Sequence, residues 1–183
     1  MSHDITRKTG IHQPQRRLPA DWIARAAYVD SRTMDEASRS IMATVATENP
    51  VLVYDWTNGR TMQEVLVATG AELPTWTPML DSHIAYSLET LGSVTDYRRS
   101  GSTILGRLVF AEDEDVEPVW RRVVAGHLRA VSVGGRRIAY TDIEPRQSAQ
   151  VVGRRWTAGQ YPLRITTQWA IRETSLVVFG ADG

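Results

Sequence analysis

From Trp22 onward, short stretches of apolar alternation are cut by turn-forming residues every few positions, and this spacing constrains the fold more than any other feature. Residues 41–47 and 51–54 read as strands separated by the Glu48-Asn49-Pro50 break. Strand patterns resume over 92–97 and 103–110, with Gly101 at the turn between them. Residues 128–140 form another strand, interrupted at Gly134-Gly135, and the last strong strand runs over 168–179. The Pro74 to Pro78 segment, and the section holding Pro145, Gly153, Gly159 and Pro162, read as turns.

Two helices are expected among these strands. Thr61 and Glu64 stand at capping-box spacing, Met62, Val65, Leu66 and Thr69 share one helical face, and Gly70 is placed to end it. Further on, Glu112, Asp113, Glu114, Asp115 and Glu117 suit the positive end of a helix dipole. Val116, Val119, Trp120, Val123 and Val124 supply the apolar stripe of that second helix, and Gly126 its stop. The pattern predicts a mainly β (α+β) domain over residues 21–183, a barrel or sandwich with helices packed outside. Residues 1–20, rich in basic residues and breakers, read as a flexible basic arm.

At 183 residues and 42% apolar content the chain can bury one full core. Its 21 basic and 21 acidic side chains cancel, which removes a bulk electrostatic pull toward nucleic acid or membrane. The absence of cysteine excludes a disulfide frame, a thiolate zinc site and a cysteine nucleophile. His3, His12, His83 and His127 are scattered rather than set at metal-ligand spacing, so neither a metal nor another cofactor is expected. No apolar run approaches the roughly 20 residues of a membrane helix. The polar start lacks the apolar core of a signal peptide, and a soluble protein is expected.

The residues with chemical potential centre on Ala130-Val131-Ser132-Val133-Gly134. Strand alternation puts Leu128, Ala130 and Ser132 on one face and Arg129, Val131 and Val133 on the other. The glycine pair that follows lets a substrate backbone approach and leaves amide N–H groups free to face an oxyanion. A serine hydroxyl needs a base to take its proton, and the sole lysine, Lys8, lies in the arm. His127 sits at an odd offset from Ser132 and behind the helix stop Gly126, where a cation has a structural use, so His83 is preferred. On the strand pattern alone, a structural role for Ser132 outweighs a catalytic one. For the acid that would orient the imidazole, Glu173 shares a strand face with Trp169, Ile171, Ser175 and Val177. A carboxylate there needs a partner, either His83 or one of the many arginines, with the arginines slightly ahead. Asp81 is the weaker alternative, and equally a turn former.

These residues carry a family resemblance. Met79-Leu80-Asp81-Ser82-His83, followed by Leu91-Gly92-Ser93-Val94, resembles the first-histidine motif of the tailed-phage prohead maturation proteases. Ala125-Gly126-His127-Leu128-Arg129-Ala130-Val131-Ser132-Val133-Gly134 is similar to the serine motif of that family, and the segment from Trp169 to Val177, with Glu173-Thr174-Ser175-Leu176-Val177, to its closing strand. The three motifs occur in the family's order and extend the resemblance over residues 30–182.

The resemblance implies a closed antiparallel β-barrel surrounded by α-helices, like the herpesvirus assembly proteases. It implies a serine endopeptidase that cleaves capsid and scaffold protein, and itself, inside the prohead within the bacterial host cytoplasm, with homodimers by analogy. Residue by residue, Ser132 matches the nucleophile and His83 the base. The herpesvirus enzymes take a second histidine from beyond the serine, and no histidine follows Ser132 here, which raises Glu173 as the acid. For the oxyanion-binding arginines of those enzymes, Arg136-Arg137 and Arg154-Arg155 are rival matches. Two other functions compete: an inactive scaffold or capsid-assembly protein of the same fold, and a nucleic-acid-binding barrel using Arg154, Arg155, Trp156 and Tyr161, for which zero net charge gives little support.

Overall fold

The computed structural model describes residues 22–87 and 90–179, so the expected arm over residues 1–20 and the chain's last four residues lie outside the described part. Twelve strands run through the described residues. They are β1 (Trp22–Tyr28), β2 (Ser40–Thr47), β3 (Val51–Asp55), β4 (Arg60–Leu66), β5 (Ala71–Glu72) and β6 (Trp76–Asp81), then β7 (Thr90–Ser100), β8 (Thr103–Phe110), β9 (Ala130–Ile143), β10 (Ser148–Val151), β11 (Arg154–Thr157) and β12 (Leu163–Val177). A helix, α1 (Glu117–Val124), lies between β8 and β9.

The main path of the sheet runs β1-β9-β12-β6-β7-β8-β2. Its spine is the antiparallel pair β9 and β12, the longest strands. Along its other edge β12 pairs in succession with β4, β5 and β6, each time in parallel, so the sheet is mixed rather than purely antiparallel. The path's ends meet just beyond β1. Val29 bridges Ala43, and the Asp30 N–H donates to Met42 O at 2.8 Å. The sheet therefore comes close to closing into a barrel, which leaves few exposed edges.

Alternation fills the interior. Val131 and Val133 of β9, Leu176 of β12, Met79 of β6, Val94 of β7 and Leu108 of β8 belong to one core cluster, joined by the fully buried Trp169. Trp169 Nε1 donates to Val67 O at 2.9 Å, so this large ring carries no orphaned donor. The helix α1 docks by burying Trp120 and Val123, with Trp120 set 5.0 Å from the Phe110 ring and Arg39 tied to Glu117 at 2.6 Å. It matches the second expected helix, although Val124 is exposed. Among the described residues it is also the single α-helix, so helices do not ring the barrel.

The first expected helix is corrected. Residues 60–66 are strand β4, held between β3 and β12. Met62, Glu64 and Leu66 point to one side, while Val65 and Val67 join a second cluster with Ile143, Val151, Leu163 and Ile165 on the other. Burial of both faces spaces the apolar residues in a way that mimics a helical stripe. Gly70 ends only a single 3-10 turn over Ala68–Gly70 and not the expected α-helix; a Cβ there would lie 1.8 Å from Thr167 O, so close backbone packing demands the glycine. Two segments expected as turns carry strands as well. Residues 145–162 hold the β10–β11 hairpin, and Pro78 lies within β6, where the β12 ladder begins only at Met79.

Glu64, assigned by its spacing to a capping box, is instead the centre of a buried ion network. Its Oε2 accepts from Arg25 at 2.6 Å, and its Oε1 accepts from Arg137 at 2.8 Å and from Thr166 at 2.7 Å. Burial alone would push the carboxyl pKa up, but the charge of Arg25 and the contacts of Arg137 and Thr166 outweigh it and hold Glu64 below its ordinary value. A carboxyl depressed on folding stabilises the fold above its unfolded pKa of about 4.3, and that contribution drains away as pH falls through the folded value. Glu64→Gln, which removes the buried negative charge that Arg25 and Arg137 share, is expected to cost about 3–5 kcal/mol. Urea unfolding of the two proteins across acidic pH checks this: the variant should also lose part of the wild-type steepening below about pH 4.3.

Candidate active site

Seven unbroken pairings between β1 and β9, from Tyr28↔Ala130 to Trp22↔Arg136, keep β9 regular through its first half. With Val131 and Val133 in the core, Ser132 faces outward with Ala130, Gly134 and Arg136. Gly134-Gly135 does not interrupt the strand. Gly135 is required by β12, because a Cβ there would lie 2.2 Å from Ala170 O. The expected opening for a substrate backbone is thus, at this position, an approach of one strand to another.

The neighbouring strand reaches the same face by a device that simple alternation does not foresee. Ile171 pairs with Gly135 and Glu173 with Gly134, so Arg172 is an extra residue in β12. Before this bulge the odd residues Trp169 and Ile171 face the core; after it the core residue is Leu176, paired with Val131. The expected common face of Trp169, Ile171, Glu173 and Ser175 is therefore corrected. The bulge turns Glu173 and Ser175 outward, and Ser175 stands directly across from Ser132.

His83 arrives on a tight turn after β6. Ile84 N–H donates to Asp81 O at 2.8 Å, and the two central residues, Ser82 and His83, have φ of 50° and 63°. Such a turn favours Asn-Gly, and side chains like these cost about 1–2 kcal/mol per residue in the left-handed region. Two hydrogen bonds to β12 hold the turn, from Ser82 N–H to Leu176 O at 3.0 Å and from His83 N–H to Ser175 Oγ at 3.1 Å. Backbone strain of this kind clusters at functional sites.

The result is a continuous chain of contacts. His83 Nε2 lies 2.9 Å from Ser132 Oγ, and His83 Nδ1 lies 2.6 Å from Glu173 Oε1. Glu173 Oε2 accepts from Ser175 Oγ at 2.6 Å. The His83 side chain is 26% exposed and that of Glu173 6%, so the ring is open to a reactant while its acid is shielded from water. On the inner side of β12, Thr174 Oγ1 bonds Tyr97 at 2.8 Å. Burial, with a further push from the charge of Glu173, raises the Tyr97 phenol pKa despite its hydrogen bonds to Thr174 and Thr77.

Of the sequence-predicted residues, Ser132, His83 and Glu173 come together. Glu173 takes His83 and Ser175 as partners rather than an arginine. Asp81 receives the Ser82 hydroxyl at 2.8 Å and acts as a turn former. His127 lies exposed in the turn after α1, where its N–H caps Arg122 O at 2.8 Å. Among the arginines, Arg137 is held by Glu64 and Arg154 by Glu48 at 2.7 Å, with Arg154 also stacked 4.2 Å over Trp156. Those contacts give Arg154 and Trp156 structural duties. Arg136 is exposed on the face of Ser132. Ser175 is the residue that sequence reasoning left without a role; its signal is the two-residue spacing from Glu173.

A hydroxyl, an imidazole and a carboxylate in this order can generate a nucleophile and store its proton. Among the described residues no group of three or more His, Asp or Glu side chains is placed to hold a metal ion. Nor is any helix among them long and apolar enough to cross a membrane. Comparison of the chain with protein-family models, with curated proteins and with solved structures found no match.

The strained turn gives a test by stability. Ser82→Gly removes the left-handed penalty at the cost of a more flexible unfolded chain, and should stabilise by about 0.5–1 kcal/mol. Ser82→Val should destabilise by about 1–2 kcal/mol. Chemical denaturation of both variants reads the two opposite signs.

Proposed function

We propose that this protein is a serine endopeptidase in which Ser132 is the nucleophile, His83 the general base and Glu173 the acid that orients it. What carries the reading is the unbroken contact chain from Ser132 Oγ through His83 to Glu173, at 2.9 and 2.6 Å. Both distances are within hydrogen-bond reach, as a nucleophile–base–acid relay requires. The acid is shielded by burial and the imidazole reaches the surface, which suits a base that meets substrate and an acid that does not.

The steps follow from the atoms. Ser132 Oγ attacks a peptide carbonyl carbon while its proton passes to His83 Nε2. The imidazolium is stabilised by the Glu173 carboxylate and returns the proton to the departing amine, so the C–N bond breaks and an ester to Ser132 remains. Water then attacks that ester with His83 again as base, and Ser132 leaves with its proton restored.

The narrower assignment rests on the order of the histidine, serine and closing-strand motifs. On that basis the substrates are the phage capsid protein, its scaffold segment and the enzyme itself. The place of action is the prohead interior within the bacterial host cytoplasm, and a herpesvirus-protease-like fold and homodimer go with the same resemblance.

Co-expression with the capsid protein, alongside labelling by a fluorophosphonate probe, tests both levels. Wild type should cleave and be labelled at Ser132, while Ser132→Ala and His83→Ala each fall by about 10⁴-fold or more. Glu173→Gln should lose about 10⁴-fold with the fold intact. Cleavage that persists unchanged in the Ser132 and His83 variants would sink the assignment. A folded wild type that neither cleaves nor labels would favour an inactive scaffold of the same fold.

A further inference from the structure

We infer that Ser175 is a positioning residue that sets the direction of every proton in the chain from Glu173 to Ser132, an inference resting on the catalytic reading of Ser132 and His83. The argument starts from a group with no freedom. A backbone N–H can only donate, and the His83 N–H points at Ser175 Oγ at 3.1 Å, so that oxygen is an acceptor. The Ser175 hydroxyl has one proton to place, with two acceptors near it: Glu173 Oε2 at 2.6 Å and His83 Nδ1 at 3.4 Å. Distance and the carboxylate's charge both send the proton to Glu173.

That choice propagates. An ionised carboxylate is an acceptor at both oxygens, so Glu173 Oε1, 2.6 Å from His83 Nδ1, requires a proton on Nδ1. A neutral imidazole protonated at Nδ1 presents a lone pair at Nε2, and Nε2 is the atom 2.9 Å from Ser132 Oγ. The nucleophile therefore faces a base and not a donor. The opposite tautomer would set an Nδ1 lone pair against the carboxylate and would need Ser175 to turn toward Nδ1 across the longer distance.

Ser175 thus does two things with one oxygen. It anchors the backbone of His83 in its left-handed conformation, and it fixes which way the Glu173 carboxylate presents its two oxygens. Ser175 is fully buried, so no solvent molecule reaches in to replace it. It does not touch the reacting atoms. Its register partner is Ser132, so the ladder that carries it also carries the nucleophile.

The test uses the full chain labelled with ¹⁵N-histidine, at a pH where His83 is neutral. Two-bond ¹H–¹⁵N spectra should show the Nδ1–H tautomer in wild type. In Ser175→Ala the Glu173 carboxylate loses the bond that fixes its orientation and can turn from Nδ1, so the Nε2–H tautomer should appear, and fluorophosphonate acylation of Ser132 should slow by about 10- to 100-fold. With a peptide substrate the loss should fall on kcat and leave KM unchanged. Ser175→Thr keeps the hydroxyl and should restore tautomer and rate. Ser175→Cys, which fills the site with a weak donor, supplies a second impaired variant should the alanine protein not fold.

A wild type in the Nε2–H tautomer overturns the inference. So does an impaired variant that keeps the Nδ1–H tautomer and the full acylation rate. If Ser132 is acylated in no protein, the catalytic reading fails, and the tautomer shift between wild type and the impaired variant still decides the role of Ser175.

Discussion

One extra residue in one strand organises the outer face of this protein. Were Arg172 paired in a regular strand, strict alternation would carry Glu173 into the core beside Ile171 and leave Thr174 outside. The bulge reverses that assignment for every residue after it, while the pairing of β12 with β9 continues to Val177↔Ala130. The exchange is specific. Apolar Leu176 moves in, Glu173 and Ser175 move out, and the polar pair meets the turn that β6 delivers from the opposite edge of β12. A carboxylate turned inward at position 173 would have needed a counterion among valines. Turned outward, it has His83 and Ser175.

The interior has its own polar centre, and the two must stay separate. Glu64 links β1, β4, β9 and β12 through Arg25, Arg137 and Thr166, so a single carboxylate sets the relative placement of four strands. Arg164 repeats the arrangement nearby, reaching Asp55 at 3.0 Å and Asp142 at 2.7 Å. Neighbouring acids push the guanidinium pKa up against the effect of burial. Buried pairs of this kind add little net stability over an apolar filling, but they penalise every alternative register in which a charge is left alone. Strand register matters here because a slip of one residue between β9 and β12 would exchange Ser132 for a valine on the outer face.

The legible part of the chain was whatever obeys period 2 within one strand. Ser132 and Ala130 shared the outer face as expected and the β7–β8 turn lay at Gly101, whereas His127 lies in the turn after α1, outside β9, so strand parity does not apply to it. What failed to show were features that depend on a neighbour. Thr61, Glu64 and Gly70 carry every mark of a capped helix, yet β3 and β12 bury both faces of that segment and make it a strand. The pattern around Glu173 favoured an arginine, since a bulge is written in the pairing of two strands and has no signature in either one. Ser175 went unassigned for the same reason: its value lies in a backbone amide 92 positions away.

That separation has a temporal side. His83, Ser132 and Glu173 come from a turn and two strands spread across the chain, and Glu173 belongs to β12, the last in order of the described strands. Because β12 is also the partner of β4, β5, β6 and β9, the sheet has no spine until it is added. High contact order of this sort makes folding slow and late. A half-assembled copy in which β12 has not docked therefore holds Ser132 and His83 without the strand that aligns them. The contact chain among the three side chains forms with the sheet and not ahead of it.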